Sequence, residues 1–130
     1  MGNEIEFERD LDRLLKRNKR YTREAYRFLL NALHYTQRKL EKQGHVTGRE
    51  LLEGIKELAL SVYGPMAKQV LESWGVHKTD DWGDIVFTLI RMGLLGKTPR
   101  DKKKDFADVY DFEDVFVKGY RYRVEERKDL

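Results

Sequence analysis

The sequence contains no cysteine. That excludes disulfides, thiolate metal sites and cysteine nucleophiles together, so stability must come from packing. Its only serines are Ser61 and Ser73, and neither sits in the Gly-x-Ser-x-Gly turn that presents a hydrolase nucleophile. No apolar run approaches the roughly 18 to 20 residues needed to cross a bilayer. The stretch Met1 to Glu8 is acidic where a secretory signal would be basic and then apolar. The expectation is a cytoplasmic protein with no membrane partner. A glycine-rich phosphate loop is missing too. Gly93-Leu94-Leu95-Gly96-Lys97-Thr98 ends like a P-loop, but it has two residues between its glycines instead of four and follows a helical pattern rather than a strand. His34, His45 and His77 lie on three separate segments, without the close spacing that lets ligands converge on one metal. Asp105, Asp108, Asp111 and Asp114 recur every third residue, but the glycine and alternate-residue oxygens of an EF-hand are lacking. They read as charge balance against Lys102, Lys103 and Lys104. These absences lead to the expectation of no enzyme, no cofactor and no metal.

What is present is charge and helical periodicity. A chain of 130 residues is the size of one domain with one core. A charged fraction of 38% with three Asn and three Gln resembles the composition of proteins from hot-living organisms, in which ion-pair networks are less costly to desolvate. The net charge of +3 is unevenly spread: between Arg9 and Arg27 eight Lys or Arg stand against three acids, while Phe28 to Gly96 balances to zero. Further on, Lys97 to Lys104 is basic, Asp105 to Asp114 acidic and Lys118 to Arg123 basic again. Such blocks can pair with one another inside the fold.

Phe7, Leu11, Leu14 and Leu15 fall on one face of a short amphipathic helix that ends in Lys16-Arg17-Asn18-Lys19-Arg20. Thr22 suits the N-cap of a longer helix running to about Lys42, with Ala25, Leu29, Ala32, Leu33, Thr36 and Leu40 inward and Arg23, Arg27, His34 and Arg38 outward. Thr47-Gly48-Arg49-Glu50 has the spacing of a capping box, after which Leu51, Leu52, Ile55, Leu58, Ala59 and Val62 supply the period until Gly64-Pro65. Pro65 suits the first position of the next helix, whose Met66, Val70, Leu71 and Trp74 are expected inside, with Gly75 as a left-handed cap. Thr79-Asp80-Asp81 opens a further helix with Trp82, Ile85, Val86, Leu89 and Ile90 inward and Gly93 at its end. Trp74 and Trp82 thus read as core rather than as stacking platforms.

After Gly93, two short strands are expected around the basic loop, one near Leu94-Leu95 and one through Phe106 to Phe112. The predicted fold class is therefore mainly α, a compact multi-helix domain with a small β-hairpin after the last long helix, winged-helix-like. Tyr120, Tyr122 and Val124 alternate with Arg121, Arg123 and Glu125, as an edge strand or tail would. The domain plan is a basic arm or short helix over 1–20, a helical domain with a β wing over 21–116, and a strand or tail over 117–130.

The stretches His45 to Ile55, Tyr63-Gly64-Pro65-Met66-Ala67-Lys68, Trp74-Gly75-Val76, Gly93 to Thr98 and Asp111-Phe112 resemble a small bacterial family of uncharacterised proteins, Minf-type. The resemblance covers Tyr26 to Phe116 and omits the basic arm. It implies a compact helical domain and carries no chemistry.

The features left over are basic. Arg13, Lys16, Arg17, Lys19, Arg20, Arg23 and Arg27 can neutralise phosphates, and Lys97, Arg100, Lys102, Lys103 and Lys104 stand where a wing would meet a nucleic-acid backbone. Tyr120-Arg121-Tyr122-Arg123 interleaves rings with guanidinium groups. The helix that would enter the major groove begins Asp80-Asp81-Trp82-Gly83-Asp84, and three carboxylates repel phosphate. The expected role is backbone-dominated, low-specificity nucleic-acid binding. The alternative is a protein-interaction or assembly module, a homodimer among the options, using Phe7, Leu11 and Leu14 against a second chain.

Overall fold

Helical spacing of apolar residues builds five α-helices among the described residues of the computed structural model, which are 2–41, 44–96 and 102–120. They are α1 (Gly2–Arg17), α2 (Arg23–Lys39), α3 (Gly48–Tyr63), α4 (Ala67–Ser73) and α5 (Thr79–Arg91). A 3-10 turn at Gly64–Met66 joins α3 to α4; a second at Lys103–Phe106 and a π-helical segment at Glu113–Lys118 come after α5. None of these helices is long and apolar enough to cross a membrane.

The core lies where α2, α3 and α5 meet. Leu29 and Ala32 come from α2, Leu52, Ile55 and Ala59 from α3, and Trp82, Ile85 and Leu89 from α5, all without solvent exposure. Leu71 of α4 and the rings of Phe106 and Phe116 close its sides. Two glycines set how closely the parts approach. A Cβ on Gly54 would lie 1.7 Å from Thr36 Oγ1, so α3 and α2 touch backbone to side chain there. A Cβ on Gly83 would lie 2.8 Å from Phe106 Cβ, and the same ring passes 3.1 Å from where a Cβ of Gly48 would be, so Phe106 is wedged between α3 and α5.

The helix ends obey the expected chemistry with three corrections. The Thr47 hydroxyl accepts from the Glu50 backbone N–H at 3.1 Å, and the Glu50 carboxylate accepts from that of Thr47 at 2.9 Å, which completes the capping box. Thr22 does occupy the N-cap of α2, but its hydroxyl makes no cap hydrogen bond. That helix stops at Lys39, short of Lys42, because Glu41 turns to a left-handed φ of 54°. Pro65 opens a 3-10 turn instead of an α-helix, which shifts the helical phase beyond it: Ala67, Leu71 and Trp74 are buried, and Met66 points outward at 52% exposure.

The β-hairpin and the winged-helix likeness are overturned: no strand occurs among the described residues. The burial does not alternate as a strand's would: Phe106 and Phe112 are buried, but Ala107 and Asp108 are both exposed and Val109 and Tyr110 both half-buried. The backbone finds its partners on a helix instead of a second strand. Asp108 N–H donates to Asp80 Oδ1 and Val109 N–H to Thr79 Oγ1, both at 3.0 Å, which lays this segment along the start of α5. Asp108 itself has a left-handed φ of 48°, which breaks any ladder. Tyr120 continues the π-helical segment in helical conformation, and the rest of the proposed tail strand lies outside the described residues.

Candidate functional site

The N-terminal end of α5 is where the chain gathers its charged side chains. Asp81 is only 3% exposed, and all its acceptor capacity is used within the chain. Its Oδ2 accepts from the backbone N–H of His77 at 2.8 Å and of Lys78 at 3.2 Å, satisfying donors that a helix start leaves orphaned. Its Oδ1 accepts from the Tyr21 hydroxyl at 2.8 Å and from Arg20 Nη2 at 3.1 Å. One turn on, Asp84 Oδ2 lies 2.9 Å from the same Tyr21 oxygen and 3.2 Å from Arg20 Nη1, and its Oδ1 takes Lys103 Nζ at 2.7 Å. A phenol has one proton, so Tyr21 shares it between two carboxylates, and the guanidinium of Arg20 supplies the charge that lets them sit side by side.

Backbone crossing puts Arg20 and Tyr21 there. Thr22 N–H donates to Trp74 O at 3.2 Å, and Gly75, at φ 89°, admits the Arg20 carbonyl to within 2.3 Å of where a Cβ would stand. The titration behaviour comes from these neighbours. Burial, and after it the hydrogen bonds to Asp81 and Asp84, pushes the Tyr21 hydroxyl well above the ordinary phenol value. Burial also pushes the Asp84 carboxyl up, but the hydrogen bonds from Lys103 and Tyr21 and the charges of Lys103 and Arg20 outweigh it, leaving the pKa below its ordinary value. Both groups are thereby fixed in one protonation state near neutrality, as an anchor requires and a proton-transfer residue does not.

Arg20 and Lys103 thus meet on Asp84, which joins the end of the basic arm to the basic segment after α5. Around them Lys78 and Lys104 line a shallow cleft of about 410 Å³ together with Asp80, Asp81 and Asp84. Lys16, Lys19 and Arg23 line a second groove, of about 390 Å³, with Asp12 and Leu15.

No family model, curated protein sequence or solved structure matches this chain. What the basic edge can do must be read from its own residues.

The twelve cations singled out from the sequence divide into groups. Lys16, Arg17, Lys19, Lys102 and Lys104 are exposed and carry no ion pair among the described residues. Arg13 has only a 3.8 Å approach to Asp10. Arg20 and Lys103 are tied to Asp81 and Asp84 but remain largely open, at 59% and 65% side-chain exposure. Arg23 and Arg27 are engaged by α1: Arg23 binds Glu8 at 2.7 Å and also Asp12, and Arg27 binds Glu8 at 2.9 Å. Lys97 and Arg100 lie outside the described residues. The aspartates after Lys104 do not take up its neighbours as expected. Lys103 turns instead to Asp84, Asp105 accepts from the Lys102 backbone N–H at 2.9 Å, and Asp114 reaches Lys118 at 3.5 Å. Among the described residues no three His, Asp or Glu side chains are placed to hold a metal ion.

Sequence reasoning missed Tyr21 and Lys78 and treated the acidic start of α5 only as a repellent. The spacing of Asp81 and Asp84, one helical turn apart, was the available signal for a shared cation. The apolar face of α1 is taken up by its own chain: Leu11 is fully buried, and Phe7 and Leu14 pack against the same core.

Proposed function

We propose that this chain is a small binding module for polyanions, taking the phosphate backbone of nucleic acid along one basic edge without reading bases, and that it has no catalytic role. The observation that carries the reading is the meeting of Arg20 and Lys103 on Asp84, which supports treating the arm and the 102–104 segment as parts of one surface. Lys16, Arg17, Lys19, Lys102 and Lys104, which carry no ion pair among the described residues, lie close in sequence to Arg20 or Lys103. Exposed cations that neutralise phosphates release counterions from the nucleic acid, so affinity comes from the backbone and falls steeply with salt. Asp81 and Asp84 of α5 anchor Arg20 and Lys103. With their oxygens already taken by donors of the same chain, they are poorly suited to acid–base chemistry.

The test is binding of mixed-sequence RNA and DNA at several salt concentrations by the parent and by Lys102→Glu/Lys103→Glu/Lys104→Glu. The parent should bind at low salt with little sequence preference. The charge reversal should weaken binding and flatten the salt slope by roughly 2 to 3 units on duplex, at about 0.9 per phosphate. Absence of binding by the parent, or an unchanged slope in the variant, overturns the reading in favour of the assembly module.

A further inference from the structure

Glu8 and Asp12 stand one helical turn apart on α1, and Arg23 and Arg27 stand one turn apart on α2. The two pairs face each other, with Arg23 between Glu8 and Asp12 and Arg27 against Glu8. Arg23 also lines the groove that holds Lys16 and Lys19, and Asp12 is the one acid among that groove's described lining residues. Without Asp12, the groove would be cationic apart from Leu15. The helix that carries these acids is held lightly. Leu11 is its one fully buried side chain among those described, while Phe7, Leu14 and Leu15 are half-buried. An isolated helix of this length is marginal in water, so α1 depends on that docking to stay formed.

We infer that the groove at the junction of α1 and α2, with Arg27 one turn beyond Arg23, is a track for the phosphates of a nucleic-acid backbone, and that Glu8 and Asp12 occupy these two arginines until phosphates displace them. The inference rests on the polyanion-binding reading and adds to it two cations and their built-in competitor. The displacement exchanges one anion for another. Arg23 divides its two Nη groups between Glu8 and Asp12, and Arg27 directs Nε and Nη2 to one oxygen of Glu8, so each guanidinium would trade carboxylate oxygens for phosphate oxygens that can engage its fork in full. A carboxylate tethered to the same chain acts at high effective concentration, so it lowers the apparent affinity for phosphate in proportion to its occupancy of the groove. Beyond Arg27 the outer stripe of α2 continues through His34 and Arg38, both exposed, which gives the backbone a path past the groove.

The experiment compares the parent with Glu8→Gln/Asp12→Asn and with a charge-matched control, Glu6→Gln/Glu41→Gln, whose exposed carboxylates have no ion pair among the described residues. Mixed-sequence single-stranded DNA is titrated into each at several salt concentrations. The Glu8→Gln/Asp12→Asn variant should bind about tenfold more tightly at low salt. Its salt slope should steepen by roughly 1.4 units, two phosphates at about 0.7 each. The control should gain only about twofold. Equal gains in the two double variants would mean that net charge alone is at work, and would overturn the inference while leaving the polyanion reading intact. No binding by any of the three removes both. A second measurement needs no variant: the Arg27 Nε–H, which donates to Glu8, should change its NMR resonance on saturation of the parent with the DNA, and an unshifted resonance overturns the displacement.

Discussion

A methyl group on Gly54 would lie 1.7 Å from Thr36 Oγ1 and 3.0 Å from its Cβ, so the residue at 54 is set by the partner helix and not by helix propensity. In an isolated helix alanine is favoured over glycine by about 1 kcal/mol. Here Gly54→Ala should instead destabilise by about 1 to 3 kcal/mol, because the added carbon forces α2 and α3 apart or Thr36 off its rotamer. Thr36 is held where it is by donating its hydroxyl to Ala32 O at 2.7 Å. The coupling is checkable by a double-mutant cycle: in a Thr36→Ala background the clash loses its oxygen, and most of the Gly54→Ala cost should vanish. Additive losses in urea melts would show that the two positions do not meet. The same logic applies at Gly83, where the obstacle is Phe106 Cβ at 2.8 Å and no flexible end is available to move aside. Neither glycine was legible as a packing position from one sequence, because spacing tells which face a residue is on and not how near the neighbour comes.

Among the elements, α1 is the one most nearly separable. Full burial of Leu11 contributes roughly 1.5 to 3 kcal/mol, and Phe7, Leu14 and Leu15 contribute fractions of that amount each. The ion pairs of Glu8 and Asp12 are partly exposed and add less than about 1 kcal/mol apiece. Removal of residues 1–17 should therefore cost about 3 to 5 kcal/mol and leave a cooperative thermal transition, out of a total that for such domains is about 5 to 15 kcal/mol. The cut belongs at Arg17, since Arg20 and Tyr21 are bound into the Asp81–Asp84 anchor and the Arg20 carbonyl packs on Gly75. Loss of the cooperative transition would place α1 in the core. The helices were legible because each carries its own period and stop: Thr47 with Glu50 begins α3, and Gly64, Gly75 and Gly93, all at positive φ, end α3, α4 and α5. The segment after α5 was not. Its alternating Phe106, Tyr110 and Phe112 matched a strand, but whether the backbone pairs with a strand or with Thr79 and Asp80 depends on tertiary placement that periodicity does not contain.

At the scale of the whole molecule, a net charge of only +3 conceals an uneven distribution along the chain. The sequence showed which segments were basic, but it could not show that Arg20 and Lys103 converge or that Glu8 and Asp12 cover Arg23 and Arg27, because those pairings join separate segments of the chain. The shared anchor also sets how the fold answers to pH. Asp84 has a folded pKa below its ordinary 3.8, so its contribution is complete above that value and is lost as pH falls through the lower folded one. Tyr21 and Tyr110 behave in the opposite sense. Burial is the leading cause for both; after it come the carboxylates Asp81 and Asp84 for Tyr21 and Glu53 for Tyr110, and together these hold the hydroxyls neutral well above the ordinary 10.0. In the unfolded chain the same phenols ionise near pH 10, so alkali stabilises the unfolded state first, and the stability they contribute declines progressively above that pH. The expected outcome is a melting temperature that is flat between about pH 5 and 9, falls below pH 4 and falls again above pH 10. Asp84→Asn should flatten the acid limb, and Tyr21→Phe should flatten the alkaline limb while lowering stability at neutrality, since Asp81 and Asp84 lose a shared donor. Tyrosinate absorbance measured alongside circular dichroism decides the matter: part of the phenol titration should wait for unfolding and then appear together with it. Complete phenol ionisation ahead of unfolding would show that Tyr21 and Tyr110 are not held as their surroundings require.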